Sequence, residues 1–239
     1  MIGPCSFFLR SRSDAVRRRP AGGLLIAASF ALLSAPGASL AASVRGTVSV
    51  EQATIRTDGP KHDRDVVVML ERVGGGEYPP ANGHAQMDQR GLVFIPHVVA
   101  IQKGSTVTFL NNDNDLHNVY FLDERTGQTL DIGTWGPGVP VDHRFPTAGT
   151  VIVLCKLHLE MAAYVVVSDS PWFTAAQIDP STRKASFSLA NVPAGEYLLR
   201  VWHKKLKLLG GPARVVVPPN GGVDVPVVLT TAGRAGKGG

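Results

Sequence analysis

The chain has 239 residues, with 24 Lys and Arg against 19 Asp and Glu and a formal charge of +5. Five of the arginines and one aspartate fall in the first 42 residues, so the remainder is close to neutral, and the overall basicity is no sign of a nucleic acid or an anionic membrane surface as partner. Beyond Cys5 the only cysteine is Cys155, which excludes an internal disulfide in the body of the chain.

Residues 1–42 read as an export signal. Arg10, Arg12, Arg17, Arg18 and Arg19 form a basic region, an apolar run follows at 21–35, and small residues lead to a cut after Ala41 or Ala42. The run is too short for a comfortable span and is interrupted by Pro36 and Gly37, so no membrane span is expected after signal removal. Pro20 and Ala21 stand where a twin-arginine signal has bulky apolar residues, which favours ordinary secretion to the periplasm or medium. A lone thiol in an exported protein needs a reason. Metal ligation is one, and a buried inert thiol is the alternative.

The remainder is long enough for one large β-domain or two small ones. Runs rich in Val, Leu, Phe and Tyr predict strands at 44–50, 66–72, 92–101, 106–110, 117–122, 141–145, 151–155 and 162–168, and again at 173–178, 185–189, 196–203, 213–217 and 223–229. Turn residues part them at Lys103-Gly104, Ala148-Gly149, Ala194-Gly195 and Pro218-Pro219-Asn220-Gly221. No long amphipathic helix is present, so the expected class is all-β, built from sandwiches. The long connection from Asp123 to Val141 has no evident place, and the Gly-rich end at 231–239 is expected to be disordered.

Chemistry concentrates between 86 and 169. Cys155-Lys156-Leu157-His158-Leu159-Glu160-Met161 follows a wholly apolar strand, and His117 opens another in which Val119 and Phe121 share its face. One thiolate, two imidazoles and one thioether are the donor set of a blue-copper electron-transfer site, with a trigonal His₂Cys plane and a weak axial Met. Such a set accepts both Cu(I) and Cu(II), provided a rigid scaffold holds it. Taken singly, each residue reads as ordinary packing. Together, on strand ends and one hairpin loop, they favour copper over zinc, whose sites seldom use a thioether. Glu160 beside Met161 leaves open a harder, red-copper site with a carboxylate as axial ligand. His62, His84, His97, His143 and His203 have no ligand partners at suggestive spacing, and Met87 reads as packing.

The stretch from Leu92 to Val167 resembles the plastocyanin/azurin family of cupredoxins. Phe94-Ile95-Pro96, Ile101-Gln102-Lys103-Gly104, Val107-Thr108-Phe109, Asn111-Asn112 and His117-Asn118-Val119 look like its first-ligand half, and the Cys-x₂-His-x₂-Met loop has amicyanin-like spacing. The resemblance implies a Greek-key sandwich, one type 1 copper held by His117, Cys155, His158 and Met161, and Asn118 tying the two ligand segments together. One departure is Lys156-Leu157, where loops of this length often carry Pro before the second His.

A second resemblance flanks the first. Ala185–Val192, Pro193-Ala194-Gly195 and Tyr197–Trp202-His203 are similar to the carboxypeptidase regulatory-like, transthyretin-like sandwich, and Gly46 within 44–50 followed by Val66–Leu70 suits its opening strands. This implies a smaller Ig-like sandwich at 44–75 and 172–230 with the copper domain at 86–169 nested within it, as in exported proteins grouped with methylamine utilisation. A tandem order is the alternative. The cluster His203-Lys204-Lys205-Leu206-Lys207 reads as a solvated turn. The expected function is transient one-electron exchange with redox proteins and no conversion of a substrate. Copper carriage without electron transfer is the other class.

Overall fold

The computed structural model describes residues 42–51, 61–79 and 81–231. The export signal expected at 1–42 lies, but for Ala42, outside the described residues, as do the tail at 232–239 and the side chain of His62. Among the described residues no helix is long and apolar enough to cross a membrane.

The strands run in chain order as β1 (Ala42–Val50), β2 (Asp65–Arg72), β3 (His84–Gln89), β4 (Phe94–Ile95), β5 (Val98–Gln102), β6 (Thr106–Asn111), β7 (His117–Asp123), β8 (Thr129–Trp135) and β9 (Val141–Arg144). They continue as β10 (Gly149–Leu154), β11 (Ala162–Ser168), β12 (Phe173–Gln177), β13 (Lys184–Val192), β14 (Gly195–Trp202), β15 (Leu206–Leu208), β16 (Ala213–Val217), β17 (Gly222–Asp224) and β18 (Val227–Thr231). The class is all-β, as expected.

Four sheets stack as layers. The first has the order β13-β1-β18-β15, with β17 also on β1; the second is β12-β2-β14-β16; the third β5-β11-β10-β7-β8; the fourth β4-β3-β6-β9. Period-two alternation explains how the middle layers serve two neighbours. Val66, Val68 and Leu70 of β2 join the core beneath β1, while Val67 turns the other way to meet Val98 and Val166. On β11, Ala163, Val165 and Val167 enter a second core with Phe109, Val119 and Phe121, and Val166 faces Val67. The two middle sheets therefore exclude water from both of their faces, and this burial is the main source of stabilisation.

Sequence and structure differ where proline or exposure intervenes. The run at 92–101 divides into β4 and β5 around Pro96, and that at 223–229 divides into β17 and β18 around Pro226. Proline offers no N–H to a ladder in either place. The connection after Asp123 contains β8, an edge strand antiparallel to β7 with His117 opposite Trp135. Thr129, Leu130 and Asp131 are exposed, so the strand shows no apolar alternation. The short β3 was also not foreseen, being polar apart from Ala85 and the fully buried Met87.

Candidate metal centre

Two strand ends of the third sheet carry the site. His117 is the first residue of β7, and Cys155 follows the last residue of the adjacent β10. The loop from Cys155 to Met161 closes on itself: Cys155 N–H donates to Met161 O at 3.3 Å, and Met161 N–H to His158 O at 3.0 Å. The thiol and the thioether residue thus face each other across a tight hairpin before β11 begins.

His117 Nδ1 lies 3.1 Å from His158 Nδ1, and Cys155 Sγ lies 3.7 Å from the same His158 nitrogen. The donor atoms of His117, Cys155 and His158 all fall within 4.8 Å of one another. The 3.1 and 3.7 Å separations are those of neighbouring donors on one ion with bonds of about 2.0–2.3 Å, the range known for zinc. Convergence of two ring nitrogens and a sulfur brings lone pairs together, which a shared cation reconciles. His117 and Cys155 are buried with Met161, whereas His158 is half-buried and Glu160 exposed. The residues fit a copper ion by count, donor type and placement.

The surroundings fix the donors. His117 Nε2 is 2.9 Å from Asp113 Oδ2. Donation from that nitrogen leaves the Nδ1 lone pair aimed at the cluster. Asp113 also accepts from Gly91 N–H at 2.7 Å and Leu92 N–H at 3.0 Å. Those two amides, with His117, outweigh burial and hold its carboxyl below the usual carboxylate range.

Asn118 spans the two ligand segments. Its backbone N–H donates to Cys155 Sγ at 3.5 Å, and its Oδ1 accepts Lys156 N–H at 3.4 Å. Its Nδ2 donates to Gly133 O and Asp131 Oδ1, each at 2.8 Å. Hydrogen bonds from Lys156, Asn118 and Gly133 hold the Asp131 carboxyl down at about 2. Before His117, buried Asn111 donates to Asp115 O at 2.9 Å and Trp135 O at 3.0 Å, which shapes the approach to the ligand.

All four sequence-predicted donor residues come to this one end of the sheet. Asp113 and Asp131 were not singled out from sequence, and Asn111 was named only as part of the family-like motif. Asp113 stands four residues before His117 inside Asn111-Asn112-Asp113-Asn114-Asp115, a run that reads equally as a polar turn. The other histidines whose side chains are described lie elsewhere. His84 is bonded to Thr108 Oγ1 at 2.6 Å, and His97 meets the edge of Tyr164. His143 packs against Phe121 and Phe145, and burial pushes its imidazole down from the usual value. Lys204 and Lys205 both pair with Asp63, so the basic cluster is partly neutralised.

Residues 81–168 match the copper binding proteins of the plastocyanin/azurin family. Plastocyanin of Scenedesmus fuscus is 32% identical over 78 residues, which is 30% of this chain and 80% of that protein. The chain belongs to the plastocyanin/azurin family, and copper is the metal that family binds. Among solved structures, a reduced Cu(I) form of an amicyanin mutant is 26% identical, covering 36% of this chain and 84% of that one at a TM-score of 0.33. A purple cupredoxin from Nitrosopumilus maritimus is 24% identical, covering 35% of this chain and 99% of that one at a TM-score of 0.32.

Proposed function

We propose that the protein is an exported carrier of single electrons, holding one type 1 copper on His117, Cys155, His158 and Met161. The observation that carries this reading is the convergence of two imidazole Nδ1 atoms and one thiol within 4.8 Å at the end of a rigid sheet. Bound copper supplies a one-electron couple. A scaffold of paired strands, with His117 on β7, Cys155 just after β10 and Met161 just before β11, is suited to keeping the metal's surroundings nearly fixed while the electron moves. Met161 is buried beside Cys155 and Glu160 points to solvent, which favours a thioether over a carboxylate as the fourth donor.

His158 is the route to the surface, being the half-buried member of the set. Around it Leu116, Leu157 and Leu159 are exposed at 59%, 52% and 87%. An apolar rim of this kind suits small, brief contacts with redox proteins. No substrate is converted in this reading.

The same proposal extends to the layout. The pairing of β1 with β13 and β18, and of β2 with β12 and β14, supports an outer carboxypeptidase regulatory-like sandwich at 44–75 and 172–230 that encloses the copper domain at 86–169. That is the nested order of the methylamine-utilisation type. The basic, apolar and small-residue succession of 1–42 supports export to the periplasm or medium.

The test is to add Cu(II) to the purified protein lacking the signal and to record its visible spectrum and voltammetry. One equivalent should give an intense blue band and a reversible one-electron wave, both abolished in Cys155→Ser. A colourless adduct would identify copper carriage instead, and a red one would implicate Glu160.

A further inference from the structure

We propose that Asp113 is the positioning residue of this centre: its carboxylate holds His117 as the Nε2-protonated tautomer and makes that ring a stronger donor, favouring the oxidised state of the bound metal. The inference rests on the copper reading for its second half only.

The carboxylate is anchored independently of the imidazole it serves. Gly91 N–H reaches Oδ1 at 2.7 Å and Leu92 N–H reaches Oδ2 at 3.0 Å. Both amides come from a turn with left-handed backbone at Gly91 (φ 63°) and Leu92 (φ 58°), a conformation that non-glycine residues adopt only when their surroundings enforce it. On the other side, Asp113 N–H donates to Asn111 Oδ1 at 3.0 Å. The acceptor is therefore a fixture of the scaffold, and the ring is the part that must comply.

The ring has little other choice. His117 is 0% exposed, so water cannot substitute for the carboxylate. A neutral imidazole carries one N–H, and donating it from Nε2 to Asp113 at 2.9 Å commits Nδ1 to act as a lone-pair donor. That Nδ1 is the atom 3.1 Å from His158 Nδ1. A charged acceptor polarises the N–H more than a carbonyl would. The imidazole becomes more basic and binds the more highly charged ion preferentially. If Asp113 only pinned the Gly91–Leu92 turn, its replacement would alter stability and leave tautomer and potential alone.

The experiment uses ¹⁵N NMR of the metal-free protein, then voltammetry and chelator competition on the copper-loaded one, for wild type, Asp113→Asn and Gly91→Ala. Gly91→Ala keeps the N–H but strains the turn. In wild type His117 should be Nε2-protonated, with a slowly exchanging proton. Asp113→Asn should shift the potential upward and weaken Cu(II) retention by about 10–100-fold; Gly91→Ala should lower stability with the potential nearly unmoved. An Nδ1-protonated His117 in wild type, or equal potentials in wild type and a folded Asp113→Asn, would overturn the proposal. Should Asp113→Asn not fold, the wild-type tautomer decides alone. Should wild type take up no copper, the electron-carrier reading fails, and the NMR result still decides whether Asp113 orients His117.

Discussion

The ammonium of Lys156 lies 2.7 Å from Asp131 Oδ2 and 5.1 Å from the centre of the Tyr120 ring. Lys156 follows Cys155 directly, in a stretch where related loops often carry proline, so the pair restrains the ligand loop from outside by attraction rather than by a locked backbone.

How much that restraint matters follows from its exposure. Both side chains are about half in solvent, at 54% and 40%, where an ion pair contributes about 0.2–1 kcal/mol. Lys156→Ala should therefore speed copper loss to a chelator by no more than about fivefold. Asn118→Ala removes a buried link to Asp131, Gly133 and the Lys156 amide together, and should cost about 10–100-fold. Equal rates for the two variants would contradict the division of labour described for the site.

Met161 is 1% exposed, and leucine nearly conserves its volume. Met161→Leu should cost less than about 1.5 kcal/mol on denaturant unfolding. It removes the proposed weak sulfur donor, so the blue band should persist while the potential rises. Glu160→Gln should leave both unchanged. A potential that moves with Glu160 and not with Met161 would reverse the assignment of the fourth donor.

Gly46 sits where β1 meets the segment joining β17 to β18, and a Cβ there would stand 2.1 Å from Val225 O and 2.8 Å from Phe187 Cζ. One contact is backbone, and Val225 N–H is itself tied to Arg45 O at 2.7 Å. Gly46→Ala must push the strands apart, and a loss of at least about 1–3 kcal/mol is expected by urea unfolding. The spectrum of the copper-loaded protein should be unaffected, since the strain lies two sheets away from the site.

Acid sensitivity should come in two stages. Burial keeps the His203 imidazole below its ordinary 6.5, even though Asp63 O accepts from its Nε2 and so favours charge. The unfolded chain then takes up that proton first, so stability is greatest above 6.5 and declines as pH falls below it. Asp63 behaves in the second stage: burial pushes its carboxyl up, but hydrogen bonds from Lys204 and Lys205 prevail and hold it at about 2 instead of 3.8. Its contribution is whole above 3.8 and is lost as pH falls through about 2. Urea midpoints measured against pH should show the upper slope flatten in His203→Gln. Stability rising on acidification through 6.5 would have the wrong sign.

What could be read from the amino-acid order was the chemistry that repeats in fixed spacing. Cys155, His158 and Met161 are separated by short intervals on one loop, and His117 shares a strand face with Val119 and Phe121, so local rules suffice to nominate them. Asp113 and Asp131 act through contacts set by loop conformation and by β8, neither of which carries a period. Strand β8 escaped notice because its outer residues are solvated and Asp131 and Gly133 interrupt it. The stacking of four sheets depends on Val67 facing Val166, a pairing between residues almost a hundred positions apart that no window along the chain can reveal.

Ser49 Oγ donates to Val227 O, 178 residues further along. During synthesis β1 therefore waits for its neighbours until β13 and β18 have been made, at residues 192 and 231, whereas β3 to β11 have every strand they pair with by residue 168. The metal-holding layers can close first, leaving Val44 and Val48 uncovered on an open edge in the meantime. A chain lacking β18 would keep its metal-holding layers and expose a sticky flank, so this one strand guards against aggregation.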